Sequence, residues 1–483
     1  MHYILPKDRT QTSIMQPSLD EMIGVDAEVR ILDLLITEIV RQNPGKFRYK
    51  GKIRVGRKAY SPETMLKLYL YGYLNKIRSS RNLEAECNRN IEVMWLMGSL
   101  APDFKTISDY RKDNGTQIKF LTHQVKLFLR DKEYIKGGVV AIDGTKLKAN
   151  AKREMLTRSG LEKRLSKMAD EMEDYLSELE ENDTLDDRDH DDRSSHRQLV
   201  DKVIKLEQEI ERLQGYKKDM DARGVNYYSP ADPDARMMKA REGKIPAYNV
   251  QSAVDSKHGM IISLDVCDSA TDYQQLKPMV DQVERDIGIV PEIVLADKGY
   301  YTPDMIEEVE QNGKTMCAVP AQISSRDKDE IEFDYDEEAD EYTCSQGKRL
   351  SLIQRNKQKR NSLVNAYQGK ECGGCSLRSV CTTSKIGRII YRYHNQKWRD
   401  HYRDRLQTRA VKALINQRKT IVEHPFGTLR AWMGKTQFLL RGKLKVQIEV
   451  DLYGTVYNMR RLMNIVSFTD LKEMIAGYNW GMA

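Results

Sequence analysis

The chain has 483 residues, of which 31% are charged, and a net charge of +7. Because a single hydrophobic core stops growing at about 250–300 residues, two or three domains are expected. The first residues lack the apolar centre of a secretory signal, and no run approaches the roughly 20 apolar residues of a membrane-spanning helix. These features argue against a membrane protein and predict a cytoplasmic location.

Residues 1–130 are predicted to form a helical N-terminal module. One helix begins at Ser61, Pro62 and Glu63, which supply a capping hydroxyl, a proline at the first helical position and an acid near the positive dipole end. Two interpretations of the module stay open, a helix-turn-helix that binds DNA and a plain helical packing domain. The basic side chains expected on its polar surfaces are Lys67, Lys76, Arg78, Arg81, Lys105, Arg111 and Lys112.

Two short apolar runs, at 139–142 and 293–296, lead directly into an aspartate, Asp143 and Asp297 respectively. Each run predicts a buried strand that carries the carboxylate at its tip. Strands interleaved with a helix predict an α/β sheet core. The further elements predicted between the two runs are strands at 248–254 and 260–266 and a helix at about 273–287.

The segment at 152–225 is predicted to be an inserted antiparallel coiled-coil arm. Apolar residues recur in it at alternating spacings of four and three, which is the pattern of a coiled-coil seam. The residues between the two seams, 181–192, are crowded with acids and predict a solvated tip. Self-association or packing on its own domain is the expected role. The seam positions are Leu161, Leu165, Met168, Met172, Tyr175, Leu179, Leu199, Val203, Leu206, Ile210 and Leu213.

Carboxylates at the tips of neighbouring strands would lose hydration unless a positive charge compensated them. A hard divalent cation would do so, since Mg²⁺ prefers carboxylate, water and phosphate oxygens. A third carboxylate is expected from a helix beside the sheet, and Glu423 supplies it, with Val422 and Phe426 on the apolar stripe. Any single acid among the 72 in the chain is most often solvated or capping, so only the joint context favours a site. The adjacent His424 is expected to pack or to face DNA.

Several motifs resemble those of bacterial insertion-sequence DDE transposases. DGTKLKANA at Asp143, LADKGY at Asp297 and VEHPFG at Glu423 resemble the three acidic motifs of these enzymes, and DPDARMM at 232–238 is also similar. RSSRNLE and DFKTISDYRKDN resemble the N-terminal domain of the same enzymes. Motifs in this order span nearly the whole chain and are specific when taken together. The nearest match is the insertion-sequence family numbered eleven-eighty-two.

The resemblance implies a ribonuclease-H-like catalytic core in which Asp143, Asp297 and Glu423 hold two Mg²⁺ or Mn²⁺ ions. It implies metal-dependent DNA cleavage at transposon ends and strand transfer, with terminal inverted repeats and target DNA as partners. Cleavage at two ends implies at least two subunits, so a homodimer is expected. Some related transposases carry Tyr, Arg and Lys seven before, four before and seven after the glutamate, and charge is preserved here at two of these positions. The residues at these positions are Asn416, Lys419 and Arg430.

A cysteine-rich segment at 320–390 is predicted as a second insertion. Two residues separate Cys372 from Cys375, a spacing that lets two thiolates face one ion, and Cys344 and Cys381 would complete a tetrahedral zinc site. Because the segment is poor in apolar runs, a metal cross-link would contribute more to its stability than to that of a domain with a large hydrophobic core. Related transposases often have a similar cluster, so Zn²⁺ is expected, with reduced and unliganded thiols as the alternative. The cysteines expected in the core are Cys87, Cys267 and Cys317.

Basic and aromatic residues alternate over 385–445. Lys and Arg contact phosphates, and exposed rings stack on unpaired bases, so the stretch as a whole favours DNA. A solvated amphipathic helix is the alternative. The residues expected to contact DNA are Lys146, Lys148, Lys298, Trp398, Arg399, Arg403, Arg418, Lys419, Arg430 and Lys435.

Together these predictions describe an α/β protein with a helical N-terminal DNA-binding module at 1–130. A ribonuclease-H-like catalytic domain follows at 131–483, interrupted by the arm at 152–225 and the cysteine-rich insertion at 320–390. The predicted function is DDE transposition. Two alternatives stay open, a non-catalytic transposase-derived DNA-binding protein and a metal-dependent nuclease without strand transfer.

Overall fold

The N-terminal part of the chain is helical, as predicted. Ser61 accepts a hydrogen bond from the backbone N–H of Thr64, and Pro62 follows it at the start of the helix. The computed structural model describes residues 17–48, 59–153, 155–185, 193–240, 243–321, 331–359, 362–433 and 437–481. Its first helices are α1 (Glu28–Gln42), α2 (Pro62–Leu74), α3 (Ser80–Arg89), α4 (Ile91–Leu96), α5 (Phe104–Asp113) and α6 (Gly115–Asp131).

Two basic side chains expected on the surface of these helices are buried. Lys67 is only 8% exposed because its Nζ contacts Asp33 and Glu63 at 2.7 and 2.6 Å. Arg111 is 3% exposed and donates to the hydroxyl of Tyr73 at 3.1 Å. Both cations lie inside the fold, Lys67 paired with two acids and Arg111 hydrogen-bonded to a tyrosine, so the prediction that they lie on a polar surface was wrong.

The central sheet is mixed and lies in the middle part of the chain. Strand β1 pairs antiparallel with β5 and parallel with β7, while β8 extends the sheet parallel to β7, and β4 and β6 both pair with β5. The elements of this region are β1 (Val139–Lys148), β2 (Leu156–Thr157), α7 (Arg158–Leu185), α8 (Arg193–Arg223), β3 (Tyr227–Tyr228), β4 (Arg236–Ala240), β5 (Gly243–Asp255), β6 (Ile261–Cys267), α9 (Leu276–Ile287), β7 (Ile293–Leu295), a 3-10 turn (Lys298–Tyr300), α10 (Pro303–Glu310) and β8 (Met316–Ala318).

Strand β1 is longer than its apolar run predicts. Its register with β5 runs from Val140 to Lys148, whereas its register with β7 ends at Ala141. Asp143 therefore lies within β1, at the point where one neighbouring strand ends and the other continues. The prediction that this acid stands at a strand tip was wrong, since β1 continues past it, with Thr145 and Leu147 buried and the backbone paired with β5.

The two seam segments form the long helices α7 and α8, which pack antiparallel. Glu162 near the start of α7 pairs with Lys217 near the end of α8 at 3.3 Å, and Lys202 lies 5.3 Å from the ring centroid of Tyr175. At the base of the pair, Arg223 bonds to the carboxylates of Asp219 and Asp234. Residues 186–192 of the predicted acidic tip lie outside the described residues.

A second, antiparallel sheet follows, with its strands in the order β13-β12-β11-β10-β9. It has its own small core of Tyr342, Leu350 and Tyr367. Its elements are β9 (Phe333–Asp336), β10 (Glu341–Cys344), β11 (Arg349–Lys359), β12 (Ser362–Gly369), α11 (Arg378–Cys381) and β13 (Ile389–Tyr393).

The C-terminal helices return to the start of the chain. The ring of Tyr453 lies 4.9 Å from that of Tyr73, and Asn43 donates to the carbonyl of Trp480 at 2.9 Å. The N-terminal helices, the central sheet and the C-terminal helices thus share one hydrophobic core. None of the helices in the described ranges has the length and apolar character needed to span a membrane. These last helices are α12 (Gln396–Gln407), α13 (Arg409–Met433), α14 (Lys443–Ile465) and α15 (Phe468–Ala476).

Candidate active site

Asp143 lies on β1, and Asp297 lies two residues beyond the end of the neighbouring parallel strand β7. Ala141 pairs with Leu295, and each aspartate follows its paired residue by two positions. Asp143 accepts a hydrogen bond from the backbone N–H of Gly144 at 2.9 Å. Asp297 caps the 3-10 turn and accepts from the backbone N–H of Gly299 at 2.7 Å. The pairing of β1 with β7 thus brings the two acids into the same region of the sheet, and their role as metal ligands stays a prediction.

The electrostatic surroundings of Asp143 suit a cation. Burial raises its pKa, and the negative charges of Asp297 and Asp272 raise it further. Arg418 of α13 opposes this shift, with its guanidinium 3.4 Å from the Asp143 carboxylate. A pair of carboxylates held mainly by backbone N–H groups, with one counter-charge nearby, fits a hard divalent ion that takes oxygen ligands.

Glu423 lies on α13, which packs on the sheet through Val422 and Phe426, as predicted. The helix crosses β1, because Arg418 reaches Asp143 and Arg430 donates to the hydroxyl of Thr145 at 2.5 Å. Glu423 stands between these two arginines in the sequence and is exposed. Among the described residues, no group of three His, Cys, Asp or Glu side chains is arranged to hold a metal ion. The structure thus brings two of the three predicted acids together.

His424, next to Glu423, takes part in packing rather than in this site. Its Nδ1 lies 2.9 Å from the hydroxyl of Tyr457, which itself donates to the carbonyl of Gly259 at 3.1 Å. Burial and the charge of Arg461 both lower the pKa of His424, which favours the neutral ring. This contact agrees with the packing role expected from the sequence.

Asp272 is a site residue that sequence reasoning missed. Its Oδ1 accepts from Asn249 and Gln251, both at 2.8 Å, and its carboxylate pairs with Lys146 at 3.0 Å. Burial opposes ionisation of Asp272, but the bonds from Asn249, Lys146 and Gln251 outweigh it and lower the pKa. The acid lies five residues beyond the end of β6, and because the residues directly before it are mostly polar, no local signal marks it.

Gly144 is packed directly against this network. A Cβ atom at Gly144 would lie 2.4 Å from the Asp272 Oδ1 and 2.5 Å from the Gln251 Nε2. The buried hydroxyl of Tyr300, in the turn after Asp297, donates to the other end of the Gln251 amide. Only glycine fits at this position without displacing these side chains, which explains why Gly144 follows Asp143 in the first acidic motif.

Two residues predicted to contact DNA are paired inside the protein. Lys146 pairs with Asp272 and is 18% exposed. Arg399 pairs with Asp304 at 2.5 Å, and its guanidinium lies 3.7 Å from the ring centroid of Tyr393. Both cations are partly shielded by these pairs, and their contact with DNA stays a prediction.

The other predicted DNA contacts have varied surroundings. Trp398 stacks on Tyr402 at 5.0 Å and is partly buried, so its ring is not wholly presented to solvent. Lys148 is partly buried near the end of β1, and Lys435 lies outside the described residues. The exposed members of the set are Lys298, Arg403, Lys419 and Arg430. Their contact with DNA stays a prediction.

The four cysteines of the predicted zinc site converge from separate elements. Cys344 ends β10, Cys372 and Cys375 follow β12, Cys381 ends α11, and all four line one small cavity. Burial raises the pKa of Cys381, and the other three thiols raise it further, whereas Arg388 lowers it. The thiols are unbonded to one another and are not arranged as a closed metal site in the part of the chain described. The cysteines confirmed as buried, as predicted, are Cys87, Cys267 and Cys317.

Comparison with known families gives two matches. The family described as "Transposase DDE domain" matches residues 343–463, which include Glu423 but neither Asp143 nor Asp297. The family described as "Transposase domain (DUF772)" matches residues 17–113, the helical N-terminal part. No curated protein matches the chain. Each match covers less than half of the chain, so these two segments are similar to transposase domains.

Among solved structures, the chain is similar to the piggyBac transposase in a synaptic complex with hairpin DNA, determined by cryo-electron microscopy. The identity is 10% and the TM-score is 0.35, with 95% of this chain and 80% of that chain covered. A likeness of this size carries no conclusion about function.

Proposed function

We propose that this chain is a DDE transposase that cleaves DNA at transposon ends and joins the freed ends to target DNA. The observation that carries the proposal is the pairing of β1 with β7, which sets Asp143 beside Asp297. A mixed sheet whose parallel strands carry two acids supports the ribonuclease-H-like core implied by the sequence motifs. Assignment to the insertion-sequence family numbered eleven-eighty-two rests on those motifs.

We assign Asp143, Asp297 and Glu423 as the ligands of two Mg²⁺ or Mn²⁺ ions. Such ions, when bound, activate an attacking water or 3′ hydroxyl and stabilise the leaving oxygen of an in-line displacement. Glu423 lies exposed on α13, the same helix from which Arg418 contacts Asp143, and we propose that its carboxylate completes the metal site when metal and DNA bind.

The residues of α13 would hold the DNA at the reacting bond. Arg418 offsets the charge of Asp143, and its guanidinium would be placed to contact a phosphate bound at the same carboxylates. Lys419 is exposed one position further along the same helix, and Arg430 lies over Thr145. Terminal inverted repeats and target DNA are the proposed partners, and phosphate contacts would supply most of the affinity.

The arm of α7 and α8 is proposed to support assembly of a homodimer, because two transposon ends must be cut together. Its base is held to the rest of the protein, since Arg223 bridges Asp219 at the end of α8 to Asp234 before β4. Asp234 in turn accepts from the backbone N–H of Lys443 at the start of α14. Because the base of the arm is fixed to the catalytic core, contacts between the arms of two subunits would also fix the position of the two cores relative to each other.

The proposed function is tested by incubating the purified chain with labelled element ends and sizing the products. With Mg²⁺ or Mn²⁺ we expect strands cut at the element boundary, followed by products joined to target DNA. With a chelator we expect binding without cutting. Binding without cutting in every metal would favour the non-catalytic DNA-binding protein, and cutting without joined products would favour a nuclease.

We also propose that Cys344, Cys372, Cys375 and Cys381 bind one structural Zn²⁺. The support is that all four thiols line the same cavity and lie close enough to raise the pKa of Cys381. A Cys₄ donor set is typical of closed zinc sites, and a sheet with so small a core gains stability from such a cross-link.

The zinc proposal predicts one Zn²⁺ per chain by elemental analysis and a loss of that metal in Cys375→Ser. We expect this variant to unfold at a temperature several degrees lower, because a structural zinc site contributes folding free energy. Cys267→Ala, which alters a buried core cysteine remote from the cavity, should keep its zinc. A wild-type protein that purifies without zinc and melts unchanged after chelation would contradict the proposal.

A further inference from the structure

We propose that Asp272 is a positioning residue that holds the Asp143 and Asp297 segments in the geometry needed to bind divalent metal. The inference rests on the proposed function, because it assigns the metal-binding role to these two acids. Asp272 itself is not proposed as a ligand. Its oxygens are already occupied by donors from Lys146, Asn249 and Gln251.

The network lies on the face of β1 opposite to Asp143. Side chains alternate along a strand, so Gly144 and Lys146 share the face that Asp143 does not. Their cross-strand partners on β5 are Gln251 and Asn249, respectively. Asp272 therefore accepts hydrogen bonds from three side chains of two paired strands, on the opposite side of β1 from the Asp143 side chain.

The same network reaches the Asp297 segment. Tyr300 is fully buried and donates its hydroxyl to the Gln251 Oε1, while the Gln251 Nε2 donates to Asp272. The Cβ of Asp272 also approaches Gly299, lying 3.8 Å from where a Cβ of that glycine would be. The Asp272 carboxylate is thus connected to both acidic motifs. It accepts hydrogen bonds from β5, which pairs with β1, and its side chain lies near the 3-10 turn that follows Asp297.

A carboxylate is required at this position because every neighbour is a donor. Asn249 and Gln251 each present an amide N–H, and Lys146 presents an ammonium, all to the two oxygens of Asp272. In Asp272→Asn one oxygen becomes an NH₂ group, which would face either the Lys146 ammonium or an amide N–H. The result is an unsatisfied buried donor and an uncompensated positive charge behind the metal-binding acids.

The test is a titration of the full-length protein with Mn²⁺, in which free Mn²⁺ is measured by its electron paramagnetic resonance signal. For Asp272→Asn we expect Mn²⁺ affinity about tenfold weaker than wild type, which is the scale of losses at residues that orient metal ligands. We expect DNA-end binding by gel shift to be unchanged. Cleavage should recover in part at high Mn²⁺, because the ligands themselves remain.

Asp286→Asn is the matched control. Asp286 is also a largely buried acid paired with a lysine, Lys126, at 2.7 Å, with side-chain exposures of 15% and 12% against 18% for both Asp272 and Lys146. It lies on α9 and bonds to Ser263 of β6, outside the network around Asp143. We expect this variant to lose stability but to keep wild-type Mn²⁺ affinity.

Wild-type Mn²⁺ affinity in Asp272→Asn would overturn the inference, as would an equal loss in Asp286→Asn. If Asp272→Asn fails to fold, Tyr300→Phe serves in its place, since it removes only the hydroxyl bond to Gln251. This variant should bind Mn²⁺ a few fold more weakly, and unchanged affinity would refute the inference. Asp143→Asn separates the two claims. Unchanged Mn²⁺ affinity in Asp143→Asn would contradict the proposed function itself. Weaker affinity in Asp143→Asn together with wild-type affinity in Asp272→Asn would contradict the positioning role alone.

Discussion

Asp143→Asn and Asp297→Asn should each reduce Mg²⁺-dependent cleavage of element ends by about a thousandfold or more. A bound metal ion supplies several kcal/mol of transition-state stabilisation, and every 1.4 kcal/mol or so corresponds to a factor of about ten in rate. Without one carboxylate the two ions cannot be held at the spacing of roughly 4 Å that in-line displacement needs. Single-turnover cleavage of a labelled end is the measurement.

The same variants should still fold and bind DNA. Burial raises the pKa of Asp143, so its ionised form is less favourable in the folded chain than in the unfolded one. Near neutral pH, removing that charge should leave the melting temperature unchanged or slightly higher. DNA affinity should persist because it depends on Lys and Arg meeting phosphates. Gel shifts and thermal melts check these two expectations.

Glu423→Gln tests the third acid separately. We expect an equally large loss of cleavage, because its carboxylate is proposed to complete the metal site after DNA binds. Retained cleavage in either aspartate variant would overturn the mechanism. Retained cleavage in the Glu423 variant alone would move the third ligand to another acid. Asp286→Asn serves again as the control for the Asp143 variant, since the side chain of Asp286 is 15% exposed and that of Asp143 is 25% exposed.

Gly144→Ala should reduce cleavage by about a hundredfold, although it changes no charge. The added methyl would lie 2.4 Å from the Asp272 Oδ1 and 2.5 Å from the Gln251 Nε2, far inside contact distance. Either these side chains or β1 must move, and overpacking of this kind typically costs about 1–3 kcal/mol of stability. The displaced strand would carry Asp143 with it, and a shift of about 1 Å can cost about a hundredfold in rate.

The measurements for Gly144→Ala are Mn²⁺ affinity, melting temperature and cleavage rate, all of which should fall. Gly215→Ala is the matched control, because a Cβ at Gly215 in α8 meets no atom within 4 Å. That variant should be as active as wild type and no less stable, since alanine favours a helix over glycine. Wild-type cleavage by Gly144→Ala would show that the contact with Asp272 is not needed to position Asp143.

The sequence alone determined the features that depend on neighbouring residues. The apolar runs before Asp143 and Asp297 predicted strands β1 and β7, and Ser61 and Pro62 predicted the start of α2. The heptad spacing predicted α7 and α8. These signals are local, because strand alternation, helix periodicity and capping each act over a few residues.

Only the tertiary structure decided which charged groups meet. Lys146 and Asp272 are 126 positions apart, and nothing in either segment indicates that one neutralises the other. Arg418 and Asp143 form a pair across an even longer separation, and Arg399 is withdrawn into a pair with Asp304. A lone charged residue in a sequence is compatible with solvent, with DNA or with a buried partner.

The length of β1 shows the same limit for the backbone. Its second half, up to Lys148, alternates the buried Thr145 and Leu147 with half-buried lysines, and it is extended because β5 pairs with it residue by residue. Burial and pairing of this kind depend on the partner that folding supplies, whereas periodicity and capping depend only on the adjacent chain. The sequence could therefore identify the two aspartates, while the network behind them emerged only when distant segments were packed together.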